Sequence, residues 1–203
     1  MKQTIGLMLV VRNEIKKIKE CLDFHVPYVN EIAICDQQSD DGTWEFLKEY
    51  FKDKKIKHHL IQDKQWGYCE PSKQKTADLL STDWLLYLDP DERFPRAFLI
   101  AMQGIVENPS YNGYNLPRNN FFDIQVYDDN VPIEPKVLTI QHPKRDPQLR
   151  LTRKSVSFFP SYLHHRVRIT GKAYDLPYPI EHRKTIVEQW EDNRRYKKIN
   201  VHD

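Results

Sequence analysis

The chain opens on a seven-residue run, Ile5-Gly-Leu-Met-Leu-Val-Val11, that is of strand length and apolar without alternation. That is the pattern of a strand buried on both faces. Ile15, Ile18 and Leu22 follow at helical spacing. Glu31-Ile-Ala-Ile-Cys35 is a second strand-like run, and Thr43 to Phe51 reads as a helix with Trp44, Leu47 and Phe51 on one face. A weaker strand is predicted over Ile56 to Ile61, and a helix over Ser72 to Leu80 with Ser72 as its N-cap. Trp84 to Leu88 is the fourth strand, and Arg96 to Val106 a further helix. The order β-α-β-α-β-α-β predicts an α/β domain with a mainly parallel sheet and helices on both faces. Ligands of such sheets bind outside the C-terminal ends of the strands.

After Asn108 the pattern changes. Pro, Asn and aromatic residues become dense and the helical period fades. Extended segments are predicted at Gly113 to Leu116, Val137 to Gln141, Gln148 to Thr152 and Tyr162 to Ile169, and a terminal helix at Thr185 to Ile199. No Gly/Ser-rich linker intervenes, so the second half reads as an α+β extension of the first and the whole as one domain.

Composition narrows the class. The 203 residues are 39% hydrophobic and 30% charged, long enough for a substantial core. The formal net charge of +2 is too small to argue for nucleic acid as a partner. Three cysteines, Cys21, Cys35 and Cys69, form no Cys-x-x-Cys pair and leave an odd count. That argues against a disulfide framework and for a reducing compartment such as the cytoplasm. No signal-peptide pattern precedes Ile5, and no apolar run approaches the ~20 residues that span a bilayer. Any membrane contact is expected to be peripheral.

Chemistry concentrates at three strand ends. Arg12-Asn13-Glu14 follows the first, Asp36-Gln-Gln-Ser-Asp-Asp-Gly-Thr43 the second, and Asp89-Pro-Asp91-Glu92 the fourth. Each can serve as a turn or cap by itself. In a doubly wound sheet, however, the three tips converge on one crevice. Two carboxylates stiffened by a proline at the tip of a buried strand suit a hard divalent cation that shares its shell with phosphate oxygens.

These segments carry a resemblance. Val10-Val-Arg-Asn-Glu14, Glu31-Ile-Ala-Ile-Cys-Asp36, Ser39-Asp-Asp-Gly-Thr43 and Trp84-Leu-Leu-Tyr-Leu-Asp-Pro-Asp-Glu92 resemble, in order and spacing, a GT-A glycosyltransferase of the family 2 type. Arg150-Leu-Thr-Arg-Lys154, Leu163-His-His165, Gly171 and Ile180-Glu-His182 are similar to later landmarks of its lipopolysaccharide-core glucosyltransferase-like branch. The resemblance implies a Rossmann-like GT-A domain, with residues 1–108 binding the nucleotide-sugar and residues 109–203 carrying acceptor and catalytic functions. It implies Mn²⁺ or Mg²⁺ as cofactor, a nucleotide-sugar donor, typically a UDP-sugar, and a glycan or lipid-linked sugar as acceptor. It places Val11, Arg12, Glu14, Asp36, Gln38, Lys73, Asp89 and Pro90 around the donor, with Asp36 on the base and Lys73 near the diphosphate. Asp91 ligates the metal, Asp89 lies by its water shell, and His182 matches a histidine that many such enzymes add to the shell. It further implies inversion at the anomeric carbon.

The catalytic base stays open at this level. The branch usually carries His-Glu where this chain has His164-His165. Either histidine can take a proton from an acceptor hydroxyl, and Asp146 in Arg145-Asp-Pro147 competes with them. On an extended strand His164 and His165 would point to opposite sides. His-x-x-His and His-Glu-x-x-His are absent, which removes a zinc hydrolase. Two other readings remain. A sugar-nucleotide nucleotidyltransferase would want a Gly-rich phosphate loop after the first strand, and Val10-Val-Arg-Asn-Glu14 has no glycine. A non-catalytic nucleotide- or carbohydrate-binding protein of this fold is the other.

Overall fold

The computed structural model describes residues 2–126, 136–141 and 146–199. Val137–Gln141 is therefore seen as predicted, whereas His142, Arg145 and His202 lie outside the described residues.

In the first half, β1 (Ile5–Val11), α1 (Ile15–His25), β2 (Glu31–Asp36), α2 (Thr43–Phe51), β3 (Lys57–Gln62), α3 (Glu70–Leu79) and β4 (Trp84–Tyr87) alternate as the pattern predicts. The strands lie parallel in the order β3-β2-β1-β4. A short β5 (Glu92–Arg93) and α4 (Arg96–Val106) follow. The second half contributes β6 (Gly113–Val126), β7 (Lys136–Gln141), β8 (Asp146–Arg153), β9 (Ser157–Phe158), β10 (Arg168–Ile169), β11 (Ala173–Asp175), β12 (Ile180–Thr185) and α5 (Ile186–Ile199). It continues the same sheet as β4-β8-β6-β12-β5, with antiparallel β4·β8, β6·β8 and β12·β5 pairs and a parallel β12·β6 pair. The parallel character thus belongs to the first half, and the sheet as a whole is mixed.

Burial on both faces explains the unbroken apolar runs. All seven residues of β1 and all four of β4 are buried. Ile5, Leu7, Leu9 and Val11 pack with Ile18 and Leu22 of α1, Phe51 of α2 and Phe98 of α4. Met8 points the other way, to Ala77, Leu80, Leu85 and Phe159. A period of two in β1 therefore feeds two cores, one on each face of the sheet. Gly6 sits on the second face, where a β-carbon would meet Thr82 Oγ1 at 2.5 Å and Leu80 Cδ1 at 2.9 Å. The segment after α3 can lie this close only because Gly6 has no side chain.

Three predictions from the pattern change. The helix expected from Ser72 starts at Glu70, with Pro71 in its first turn. Ser72 is fully buried inside it and hydrogen-bonds Asp63 and Gln37, so it ties α3 to neighbouring loops and caps nothing. The strand expected over Tyr162 to Ile169 is confined to Arg168–Ile169. Residues 162–167 form a turn and irregular chain, with His164 at φ +62° and the His165 N–H donating to the Tyr162 carbonyl at 3.1 Å. His164 and His165 therefore do not alternate as strand residues.

Gly6→Ala should destabilise the fold by about 1–3 kcal/mol through overpacking. Urea denaturation followed by circular dichroism reads it, and a midpoint equal to wild type would mean that the Thr82 segment yields freely.

Candidate active site

The tips of β1 and β4 open onto a cleft of about 500 Å³, walled on its other sides by α3, β8, the 164–167 segment, β12 and α5. Val11, Arg12, Glu14, Lys73, Asp89, Pro90, Asp91 and His182 line it, as do Asp146, His164 and His165. One concave site thus gathers Arg12 and Glu14 of the first polar cluster and Asp89, Pro90 and Asp91 of the third with all three base candidates.

The second cluster is used differently. Asn13 stands in the left-handed region at φ +57°. It is held there by Ser39 Oγ, which accepts from its N–H, and by a reciprocal pair with Asp40. Asp41 Oδ2 accepts from the N–H of Ile15, and Thr43 Oγ1 from the N–H of Glu14. Those are N–H groups that α1 leaves unsatisfied at its start. Ser39-Asp-Asp-Gly-Thr43 therefore fixes the turn that aims Arg12 and Glu14 into the cleft. Asp36 and Gln38 are not part of the cleft wall, and Gln37 is. Asp36 is fully buried: its Oδ1 accepts from Ser39 N–H and Gln62 Nε2, and its Oδ2 has no hydrogen-bond partner among the described residues.

Asp89 and Asp91 leave the same turn in different company. Asp89 Oδ1 accepts from the Tyr87 hydroxyl at 2.6 Å and its Oδ2 from Arg150 Nη2 at 3.0 Å. Burial alone would raise its pKa, but Arg150 and Lys73 outweigh it and hold the carboxyl below the usual range. Asp91 Oδ2 faces His182 Nε2 and Lys184 Nζ, each at 3.3 Å. Burial works against its charge too, and His182 and Lys184 again lower the pKa. Both contacts are longer than the ~2.7–2.9 Å of a tight charge-assisted hydrogen bond, so Asp91 is open to a stronger partner. Among the described residues Glu14 has no such cation in contact, although Lys17 and Lys184 lie near enough to oppose the shift. Burial, with Asp91 and Asp89 near, pushes its carboxyl up to about 8, so it is mainly protonated at neutral pH.

Two cations complete this wall. Lys73 is buried with its ammonium 4.7 Å from the centre of the Tyr87 ring and 3.4 Å from Glu70. Burial lowers its pKa, but Cys69, Asp89 and Glu70 reverse the sign and keep it charged. Arg150 packs on the Tyr87 ring at 4.4 Å and reaches Glu92 Oε1 at 2.5 Å.

Several of these residues were not picked out from the sequence. Glu92 stood in the Asp89-Pro-Asp91-Glu92 run without a role, yet it is fully buried between Arg150 and Arg118. Arg150 was noticed only as a landmark of the resemblance. The available signal was an arginine set between Leu149 and Leu151 in a strand, where a charge needs a partner. Lys184 and Asp192, which reach the cleft from β12 and α5, carry no local signal, and Arg195 and Tyr196 stand out in the sequence only as part of the basic run Arg194 to Lys198.

The base candidates differ in occupancy. Asp146 already accepts from Arg118 at 2.9 Å, Arg166 at 2.9 Å and Gln148 at 2.6 Å. His164 meets Tyr196 edge-on at 4.9 Å, and His165 lies exposed with its ring 5.5 Å from Tyr162.

The sequence profile described as "Glycosyl transferase family 2" matches residues 7–161. The SPbeta prophage-derived glycosyltransferase SunS of Bacillus subtilis (strain 168) is 29% identical over 93 residues, which are 46% of this chain and 21% of that protein, and the SunS of Bacillus phage SPbeta matches equally. The chain thus spans about a fifth of the length of the curated relatives it matches. Among solved structures, S. aureus TarS 1–349 in complex with UDP superposes with a TM-score of 0.55 at 14% identity, covering 95% of this chain and 64% of that one. GalNAc-T7 with UDP, GalNAc and Mn²⁺ gives a TM-score of 0.59 at 12% identity, covering 90% and 44%. At such identities the likeness is one of fold, and the fold is the expected GT-A type.

Glu92→Gln removes the charge that Arg150 and Arg118 share inside the protein. Breaking a buried pair from one side costs about 3–5 kcal/mol, so its urea midpoint should fall well below wild type. Glu92→Leu combined with Arg150→Met should recover much of that loss, and equal stability of wild type and Glu92→Gln would show that water reaches the pair.

Proposed function

The chain belongs to glycosyl transferase family 2, and on that premise we propose that it transfers a sugar from a nucleotide-sugar to an acceptor hydroxyl with the help of a divalent cation. The observation that carries this reading is the pairing of Asp91 with His182 at the cleft wall. The Nδ1 of His182 lies 2.7 Å from Asn120 Oδ1. That carbonyl oxygen can only accept, so Nδ1 carries a proton and Nε2 is turned to Asp91 Oδ2 at 3.3 Å, where the neutral ring presents a lone pair and the protonated ring an N–H that a metal ion would displace. A lone pair and a carboxylate held face to face fit a cation between them. Among the described residues no three His, Cys, Asp or Glu side chains form a complete cage. Mn²⁺ and Mg²⁺ do not need one, since they complete their shell with water and phosphate oxygens. Asp91 and His182 would hold the ion, with Asp89 oriented beside them by Arg150 and Tyr87. When bound, it neutralises charge on the diphosphate.

The rest of the cleft supports the same reading. Lys73, held cationic between Glu70 and Asp89, is placed to meet negative charge developing on a leaving diphosphate. Asp36 stands next to Gln37 of the cleft wall with its buried Oδ2 unpartnered among the described residues, and it would accept from the imide N–H of uracil once a shift of this strand end bares it. We therefore favour a UDP-sugar. Residues 1–108 would hold this donor and residues 109–203 the acceptor, a glycan or a lipid-linked sugar, within one domain. No helix among the described residues is long and apolar enough to cross a membrane. The three cysteines are free, in keeping with a reducing compartment such as the cytoplasm.

Transfer with inversion follows from a single displacement. The acceptor oxygen attacks the anomeric carbon opposite the departing diphosphate, through an oxocarbenium-like transition state, and a base takes its proton. We assign that base to His165 ahead of His164 and Asp146. Asp146 would first have to give up Arg118 and Arg166, whereas His165 is exposed at the cleft edge with no side-chain hydrogen bond among the described residues.

Asp91→Asn should abolish Mn²⁺-dependent turnover of UDP-sugars and the Mn²⁺-dependent rise in melting temperature with UDP, leaving the circular dichroism spectrum unchanged. Undiminished, Mn²⁺-dependent activity in that variant would sink the metal assignment. His165→Ala should lower kcat about 100- to 10,000-fold with little change in donor affinity. Near-normal kcat in His165→Ala with a collapse in Asp146→Asn would move the base to Asp146.

A further inference from the structure

α5 is amphipathic in the reverse sense of an ordinary surface helix. Its polar side faces the protein. Glu188 pairs with Lys17 of α1 at 2.7 Å, and Asp192 with Lys184 at 2.5 Å. Thr185 and Glu188 form a reciprocal cap, each side chain accepting from the other's N–H. Gln189, Arg195 and Tyr196 reach the cleft from the same side. Three of its apolar residues point outward, Ile186 at 47%, Val187 at 64% and Trp190 at 59% exposure, while Ile199 turns inward toward Gly67. At 100° per residue these three share one half of the helix circumference with Arg194, Lys197 and Lys198, and all three cations are exposed. The Arg194 guanidinium lies 5.5 Å from the Trp190 ring centre. None of the three cations enters an ion pair among the described residues. The only acid exposed on that side of α5 is Glu191, at its margin.

We propose that the outer face of α5 docks on a bilayer surface carrying anionic lipids. A helix with Trp and aliphatic residues beside lysine and arginine lies in the headgroup region, its apolar side chains entering the acyl boundary and its cations meeting lipid phosphates. Two observations favour lipid over a second copy of the chain. Three exposed side chains fall short of the ~800 Å² per partner of a standard protein interface. A two-fold contact through this face would also bring Arg194, Lys197 and Lys198 toward their own copies. Because the inner side of the same helix lines the cleft, docking sets the cleft mouth beside the membrane. This surface stands independently of the transferase reading, since vesicle binding and sugar transfer are measured separately.

The test is co-sedimentation of the 203-residue chain with sucrose-loaded vesicles of phosphatidylcholine alone and of phosphatidylcholine mixed with phosphatidylglycerol. Binding is expected on the mixed vesicles only, weakening as salt rises. Each cation near an anionic surface is worth about a fivefold change in partitioning. Arg194→Glu with Lys197→Glu and Lys198→Glu should therefore lose binding by at least about a hundredfold. Trp190→Ala should weaken it further at fixed charge, and both variants should keep wild-type circular dichroism and UDP binding. Absence of binding to mixed vesicles, binding that these variants leave unchanged, or concentration-dependent self-association through Trp190 in place of vesicle binding would each overturn the proposal.

Discussion

The buried ion pair between Glu92 and Arg150 is the contact on which the site depends. Arg150 comes from β8 and Glu92 from β5, just beyond the β4 tip, and both are buried. The pair extends in both directions with alternating sign: Asp89, Arg150, Glu92, Arg118, Asp146, Arg166. Three acids and three bases balance, which is how the two buried members, Glu92 and Arg150, are tolerated in the interior while the string runs out to the exposed Arg166. One end of the string fixes Asp89 at the β4 tip, and the other occupies Asp146 across the cleft. The orientation of the Asp89 carboxylate is thereby linked to Asp146 across the cleft through a few rigid guanidinium contacts.

This string also explains why the sheet is mixed. The parallel half, β3-β2-β1-β4, is a self-sufficient apolar sandwich whose strand tips deliver polar residues at one edge. By itself it would leave Asp89, Asp91 and Lys73 open to water. β8 adds antiparallel to β4 and places Arg150 behind Asp89, and β6 carries β12 alongside. β12 then pairs with β5, setting His182 opposite Glu92. A two-strand register therefore brings His182 to Asp91, and α5 closes the remaining side through Lys17 and Lys184.

The first half was legible because its signals are local. Continuous apolar runs in β1, β2 and β4 report burial on both faces, and the 3.6-residue period of α1, α2 and α4 reports one apolar face each. The site residues at strand ends followed from the same logic, since topology sends those ends to one edge. Ser39 to Thr43 was read as a turn and cap in one sense and as a site in another; the structure gives it the first job, toward the neighbouring strand's turn. Ser72 misled because a helix can begin with a proline, and its hydroxyl then serves Asp63 and Gln37.

What the sequence determined alone was the α/β order, the edge where polar clusters meet, the carboxylate pair and the family. Those follow from period, run length and short motifs, which neighbouring residues are enough to define. Tertiary structure decided what each charge does. Whether Asp89 faces a cation or an arginine, whether His164 and His165 sit on a strand or a turn, and which side of α5 faces the cleft all depend on partners far away in the chain. Electrostatic energy in a buried site is set by the few ångströms between groups and by the water excluded around them, and neither quantity is carried by any local stretch of sequence.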